Sequence, residues 1–173
     1  MKKLLLSAIV ILGFTAVSFG QTNQVANATA TAKVIKALTL TNPTGLDFGT
    51  FSGLSTTTST VVLATNNSRS GTANLLAGLP GTAAAFNVVG EANAVFSITL
   101  PATATSLTAV APSLGTAMSI PAASWVTNQT SNSSVTLDGS GLNTFLVGST
   151  LNVGINQAAG TYNGTYSVTV NYN

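Results

Sequence analysis

Apolar and polar residues alternate along two stretches of the chain, one near each end. In residues 26–40 most apolar side chains fall at even positions, and residues 162–172 repeat the pattern. Successive side chains of a β-strand point to opposite faces, so a period of two indicates a strand that is buried on one side. We predict half-buried strands at both ends, with a bulge at Ile35 and Lys36, where the first alternation breaks. The apolar positions are Ala26, Ala28, Ala30, Ala32, Val34, Leu38 and Leu40 in the first stretch, and Tyr162, Tyr166, Val168, Val170 and Tyr172 in the second.

Turn residues divide the middle of the chain at strand-length intervals. Residues 86–89 and 95–100 flank a turn that contains Gly90, and they indicate a β-hairpin. Gly148 separates two further short strands, at 144–147 and 151–153. Counted in this way, the chain holds eight to ten strands and no helix longer than one turn. The sequence therefore predicts an all-β fold, an antiparallel β-sandwich with a single domain over residues 21–173.

The first twenty residues predict a signal peptide rather than a part of the sandwich. Lys2 and Lys3 precede an apolar run at 4–17, which is shorter than the stretch of about 20 residues that a transmembrane helix needs. Small residues before Gln21 predict cleavage between Gly20 and Gln21. We expect a signal-peptide helix over residues 1–20, no stable membrane insertion, and export to the periplasm, the cell surface or the extracellular space.

Charge and composition narrow the function. The chain has five basic and three acidic residues; without Lys2 and Lys3, residues 21–173 carry three of each, a formal net charge of zero. No basic surface remains for nucleic acid. The chain has no histidine and no cysteine, and its few carboxylates are far apart in sequence, so we expect no catalysis, no metal and no cofactor. Because net charge keeps molecules apart, a neutral chain favours self-association.

Two features are candidates for binding. In residues 21–34, Ala28, Ala30, Ala32 and Val34 share one face, so this segment is either the first strand of its own domain or a strand that pairs with a neighbouring molecule. Trp125 is the single tryptophan and precedes a polar stretch. On an exposed loop it would stack on a sugar or anchor a partner; the alternative is a ring that fills the core.

Several segments together resemble a known family. They are residues 28–41, Leu-Asp-Phe-Gly-Thr at 46–50, residues 86–91 and 95–100, Leu-Asp-Gly-Ser-Gly at 137–141, and residues 157–172. In this order they resemble the secreted bacterial family called domain of unknown function 4402, which is similar in layout to spore coat protein U and to chaperone/usher pilins. The resemblance implies an immunoglobulin-like, pilin-like sandwich that lacks one strand, which the N-terminal extension of the next subunit supplies. It also implies a periplasmic chaperone and an usher as partners.

These patterns lead to two expectations of function. The first is a non-enzymatic structural subunit of a bacterial surface filament, coat or matrix, with other copies or other surface subunits as partners. The alternative is a monomeric, adhesin-like sandwich that binds carbohydrate or protein, with Trp125 as the contact residue.

Overall fold

The computed structural model describes residues 23–173. The chain divides into two units, residues 1–34 and residues 35–173. In the first unit, residues 23–34 form no helix and no strand, and all of their side chains are exposed. The predicted signal-peptide helix and the predicted cleavage site at Gly20 and Gln21 lie outside the described residues.

The second unit is all-β, as predicted. Its strands are β1 Thr39–Thr44, β2 Phe51–Ser52, β3 Ser59–Leu63, β4 Arg69–Gly71, β5 Asn74–Leu75, β6 Ala84–Val89, β7 Val95–Thr99, β8 Thr105–Ala109, β9 Met118–Ile120, β10 Val126–Thr127, β11 Val135–Thr136, β12 Leu142–Val153, β13 Tyr162–Asn163 and β14 Thr169–Tyr172. This count exceeds the predicted eight to ten because several pairings involve only two residues. A single 3₁₀ turn, Ala122–Ser124, is the helical element of residues 23–173.

The large sheet is organised around β12. Its path runs β1-β6-β12-β9-β8-β13, with β10 and β3 also paired to β12 and β4 paired to β3. The sequence prediction of two strands separated by Gly148 is wrong, because β12 continues through this residue. A Cβ at position 148 would collide with the carbonyl oxygen of Leu63. Glycine therefore lets β3 approach closely without ending β12.

The second sheet has the order β11-β7-β14, and β2 and β5 form a separate two-stranded pair. The predicted hairpin of residues 86–89 and 95–100 is also wrong. β6 pairs with β1 and β12, whereas β7 pairs with β11 and β14. The turn between β6 and β7 therefore carries the chain from one sheet to the other, as connections in sandwiches do.

The core lies between these sheets. Phe86 and Phe145 are directly opposite on β6 and β12, and their rings stack with centroids 5.2 Å apart. Phe96 and Ile98 of the second sheet are buried in the same cluster. Both sheets thus contribute alternate side chains to one apolar layer, which is the arrangement of a β-sandwich.

The N-terminal alternation forms a strand only at its end, so the predicted strand over residues 26–40 is wrong except for its last two positions. β1 begins at Thr39, and its irregularity lies between Thr41 and Thr44 rather than at Ile35 and Lys36. Two side chains hydrogen-bond to the main chain of Lys36: its N–H donates to Glu91 Oε2 at 3.1 Å, and its carbonyl accepts from the Tyr172 hydroxyl. These hydrogen bonds take the place of main-chain hydrogen bonds to a neighbouring strand.

Candidate assembly site

The C-terminal strand has an open edge. Of the described strands, β7 alone pairs with β14. The N–H of Asn173 donates to the carbonyl of Val95 at 3.1 Å, so the main-chain groups of Asn173 and of alternate residues before it point toward β7. Those of Val168, Val170 and Tyr172 consequently point away from β7. The edge is a template on which another strand can form hydrogen bonds.

The inner side chains of this last segment are incompletely covered. Tyr166, Val168 and Val170 pack against the core but remain half-buried, whereas Phe96 and Ile98 on the neighbouring β7 are buried. The apolar layer is therefore complete under β7 and incomplete beside β14. A strand added along β14 would cover apolar area that now faces solvent, which is favourable.

Tyr172 closes one end of this side of the sandwich. Its hydroxyl accepts a hydrogen bond from the N–H of Glu91 at 2.7 Å and donates one to the carbonyl of Lys36 at 2.9 Å. A Cβ at Gly90 would overlap this hydroxyl and lie 2.9 Å from a methyl carbon of Leu38. Only glycine permits this packing, so the C-terminal strand and the start of β1 are tied together here.

A cleft of about 840 Å³ lies between residues 46–53 and 157–163. Its apolar lining includes Phe48, Phe51, Leu107, Met118, Leu151 and Tyr162. The cleft has the volume of a binding pocket for a small molecule or a few side chains.

Polar groups at this cleft hydrogen-bond within the protein. The Tyr162 hydroxyl accepts from Gln157 Nε2 at 2.8 Å and donates to the carbonyl of Ala158 at 2.7 Å. Gln157 Nε2 also donates to Thr116, and its Oε1 accepts from the N–H of Gly154. The polar groups of Tyr162 and Gln157 are therefore already used, and they stabilise this wall of the cleft.

The guanidinium of Arg69 hydrogen-bonds to the main chain of the segment that forms one wall of the cleft. Its Nη1 donates to the carbonyls of Phe48 and Thr50, each at 3.0 Å, and its Nη2 donates to the carbonyl of Leu76 at 2.6 Å. A planar guanidinium can serve several carbonyls in a fixed geometry, which an ammonium cannot. Gly49, at φ 71°, lies between this group and the carbonyl of Leu79.

The predicted strand-exchange face is exposed. Ala28, Ala30 and Ala32 are exposed, and Val34 is 94% exposed. The first alternative for residues 21–34 was a first strand of their own domain. The described residues 23–34 do not form such a strand.

Trp125 is a core residue. It is 6% exposed, belongs to the core cluster, and its ring lies 4.6 Å from that of Tyr166. The interpretation of Trp125 as a ring that fills the core is confirmed, and this burial favours it over the alternative of a ligand contact. Burial also raises the pKa of Tyr166 to about 12, because desolvation disfavours the phenolate.

The acidic side chains have structural roles. Asp138 Oδ1 accepts from the N–H groups of Ser140 and Leu142, both at 2.8 Å, and Asp47 Oδ1 accepts from the N–H of Gly49 at 2.8 Å. Asp138 thus stabilises its own turn. Within residues 23–173, no group of three or more Asp, Glu, His or Cys residues is placed to hold a metal ion. None of the helices in that range is long and apolar enough to cross a membrane.

Sequence reasoning missed the cleft and the two residues that shape this side. Arg69 is the single arginine of the chain, and Tyr172 is the next-to-last residue. Both features are visible in the sequence, but their partners are 7 to 136 positions away. Only the Asp47-Phe48-Gly49 motif indicated the cleft in the sequence, because a glycine is typical of a backbone with positive φ such as that of Gly49.

One comparison with known proteins gives a match. The sequence model of the family described as "Domain of unknown function (DUF4402)" matches residues 38–172. No curated protein and no solved structure matches the chain. The matched residues make up well over half of the chain and include all fourteen described strands, from β1 to β14. The chain belongs to the DUF4402 family.

Proposed function

We propose that this protein is an exported, non-enzymatic structural subunit that assembles at a bacterial surface, with residues 23–34 of one copy pairing along β14 of another. One observation carries the proposal. Residues 23–34 have the alternation of a strand and belong to none of the described strands, while one edge of β14 pairs with no described strand and lies above half-buried side chains. The two-residue spacing of the segment's apolar side chains matches that of Val168 and Val170 along this edge.

Strand addition would use two kinds of contact. Main-chain hydrogen bonds to the edge of β14 would supply affinity, and alternate side chains would enter the space beside Val168 and Val170. Alanine side chains bury little area, so at roughly 25 cal/mol per Å² we expect modest affinity per contact. Val34 is the largest apolar side chain on the predicted face and would contribute most.

Composition supports the non-enzymatic part of the proposal. The chain has no histidine and no cysteine, so the commonest general base and the most reactive nucleophile are missing. Asp47 and Asp138 use carboxylate oxygens to accept hydrogen bonds from their own turns. The predicted signal peptide and the resemblance to secreted pilin-like proteins support export, and they favour a chaperone and an usher as assembly partners. The alternative of a ligand-binding module loses its main candidate, because Trp125 is buried.

Sedimentation velocity over a range of concentrations tests the proposal on protein that begins at Gln21. Ala30→Lys places a charge on the proposed inserting face, and Thr31→Lys places the same charge one residue away on the opposite face. We expect Ala30→Lys to weaken self-association at least tenfold and Thr31→Lys to change it little. Equal behaviour of the two variants, or a monomer at every concentration, would overturn strand addition.

A synthetic peptide of residues 23–34 provides a second test. A ligand that binds only the folded state stabilises it by RT ln(1 + [L]/Kd), which is about 2.7 kcal/mol at one hundred times Kd. We expect the peptide to raise the midpoint of thermal unfolding, and a peptide with Lys at position 30 to have no such effect. Identical midpoints with both peptides would count against the proposed pairing.

A further inference from the structure

The outward side of the large sheet forms a surface that we call the outer face, made of the outward side chains of β1, β3, β6, β10 and β12. Inward residues of β6 and β12, such as Phe86 and Phe145, are buried, so the residues between them point outward. Apolar side chains occur at several outward positions, namely Ala85, Val89, Val126, Leu142 and Leu146. Leu142 is 48% exposed and Val126 is 47% exposed.

No charged side chain of the described residues lies on the outer face. The lysines of residues 23–173 precede β1, Arg69 lies on β4, and the three acidic residues lie outside the five strands. A solvated sheet face ordinarily carries charged residues, which keep sheets apart. β12 has no charged residue in its whole length, so this face lacks such repulsion.

Polar groups on the outer face hydrogen-bond to one another. Thr144 Oγ1 donates to Asn87 Oδ1 at 3.0 Å, and Thr39 Oγ1 donates to the carbonyl of Val89 at 3.4 Å. The register places Thr41, Asn87 and Thr144 in one row across three strands. Covering a polar group costs free energy mainly when its hydrogen bond is lost. Covering the Thr39 and Thr144 hydroxyls would therefore leave neither of these two donors unpaired.

We propose that the outer face is a lateral contact surface for a second copy of this chain, packed face to face. The charge balance favours this occupant: residues 21–173 have a formal net charge of zero, so two copies meet without net repulsion. The face extends along the twelve residues of β12. β6 and β1 flank its first six residues and β3 its last five, so the face is about 40 Å long and two to three strands, or about 12 Å, wide. About 500 Å² per partner is the size of a weak, transient contact.

Two-fold symmetry suits such a contact, because the same patch on both copies then forms one continuous interface. Two sheets that pack in this way lie about 10 Å apart and interdigitate their side chains. A carbohydrate is a poorer occupant, since the strands of the outer face place no aromatic ring outward for stacking and its hydroxyls are partly used. This inference rests on the proposed assembly role, but it uses a different surface from the edge of β14.

Matched lysine substitutions in the chain from Gln21 onward test the lateral contact. Leu142→Lys removes an exposed leucine from the outer face, and Leu114→Lys does the same in the loop after β8, where Leu114 is 99% exposed. By sedimentation velocity, we expect Leu142→Lys to weaken self-association at least tenfold and Leu114→Lys to leave it unchanged. Equal effects of the two substitutions would overturn the proposal.

Combination with Ala30→Lys separates this surface from strand addition. Association that persists in Ala30→Lys and disappears in Ala30→Lys with Leu142→Lys supports the lateral contact. Loss of all association in Ala30→Lys alone would overturn the lateral contact and leave strand addition standing. Sensitivity to Leu142→Lys without sensitivity to Ala30→Lys would support the lateral contact and contradict strand addition.

Cross-linking gives a readout that does not depend on tolerance of a lysine. The chain has no cysteine, so Thr144→Cys introduces the single thiol of the protein, in the row that Thr144 shares with Asn87 and Thr41 on the outer face. Under a mild oxidant we expect a disulfide-linked dimer from Thr144→Cys and none from Leu114→Cys. A monomer in both cases, or equal dimer in both, would contradict the face-to-face contact. If a soluble oligosaccharide prevents the dimer from forming, the outer face is a sugar site, and this result would also overturn the face-to-face contact.

Discussion

The hydroxyl of Tyr172 donates a hydrogen bond to the main-chain carbonyl of Lys36, 2.9 Å away and 136 positions earlier in the sequence. The same oxygen accepts from the N–H of Glu91. One side chain thus joins the C-terminal strand, the start of β1 and the turn between the two sheets. The junction therefore connects segments that are far apart in the sequence.

Tyr172→Phe is expected to destabilise the fold by about 1–3 kcal/mol, because it leaves a main-chain donor and a main-chain acceptor without their partner. Tyr166→Phe is the matched control: the Tyr166 hydroxyl is buried and has no hydrogen-bond partner, so its removal should be neutral or stabilising. Urea unfolding measures both changes. A cost for Tyr166→Phe equal to that for Tyr172→Phe would contradict this assignment.

Arg69→Lys should lower the free energy of unfolding by about 1.5–3 kcal/mol although it preserves the charge. An ammonium cannot reproduce the fork that reaches Phe48, Thr50 and Leu76. We also expect faster proteolysis within residues 46–53, since the cleft wall loses its support. Full stability and unchanged proteolysis in the variant would show that the three hydrogen bonds contribute little.

Gly49→Ala should destabilise the protein by about 1–3 kcal/mol, because a side chain is strained at φ 71°. Its Cβ would also lie 2.6 Å from the carbonyl oxygen of Leu79. Gly45→Ala is the control, as nothing lies within 4 Å of a Cβ at that position. Thermal unfolding of the two variants should differ clearly, and equal midpoints would refute the role assigned to Gly49.

Alkaline pH should destabilise the fold through Tyr166. Its pKa is raised by burial to about 12 from an ordinary value of 10.0, so the folded protein holds this proton more tightly than the unfolded chain. The contribution to stability is complete below pH 10 and is lost as the pH rises from about 10 to about 12. Unfolding free energies measured across this range should fall more in the natural protein than in Tyr166→Phe. Parallel profiles would show that another group is responsible.

Local patterns predicted the elements better than their partners. The alternation of residues 162–172 predicted one strand, and this prediction is confirmed only at its two ends. Tyr162–Asn163 pairs with β8 in the large sheet, Thr169–Tyr172 pairs with β7 in the second sheet, and residues 164–168 form no strand, because the chain passes between the sheets there. The hairpin of residues 86–89 with 95–100 was wrong, since β6 and β7 obtain their partners from β12 and β14. Gly148 resembled a strand end, and only its approach to Leu63 explains why β12 passes through it.

The N-terminal alternation illustrates the same limit. A period of two is necessary for a half-buried strand, but a strand forms only where a partner edge and sufficient apolar area are available. The side chains of Glu91 and Tyr172 take the main-chain groups of Lys36, and the preceding alanines bury little. β1 accordingly begins at Thr39.

By itself, the sequence determined that this is an all-β sandwich without histidine or cysteine, because alternation and turn residues act locally and composition does not depend on the fold. It also determined that residues 21–173 carry no net charge. The tertiary structure decided that Trp125 belongs to the core, that β14 keeps an open edge, and that an uncharged face extends along β12. These properties arise from pairings between residues far apart in the chain, and a single sequence does not specify which strands meet.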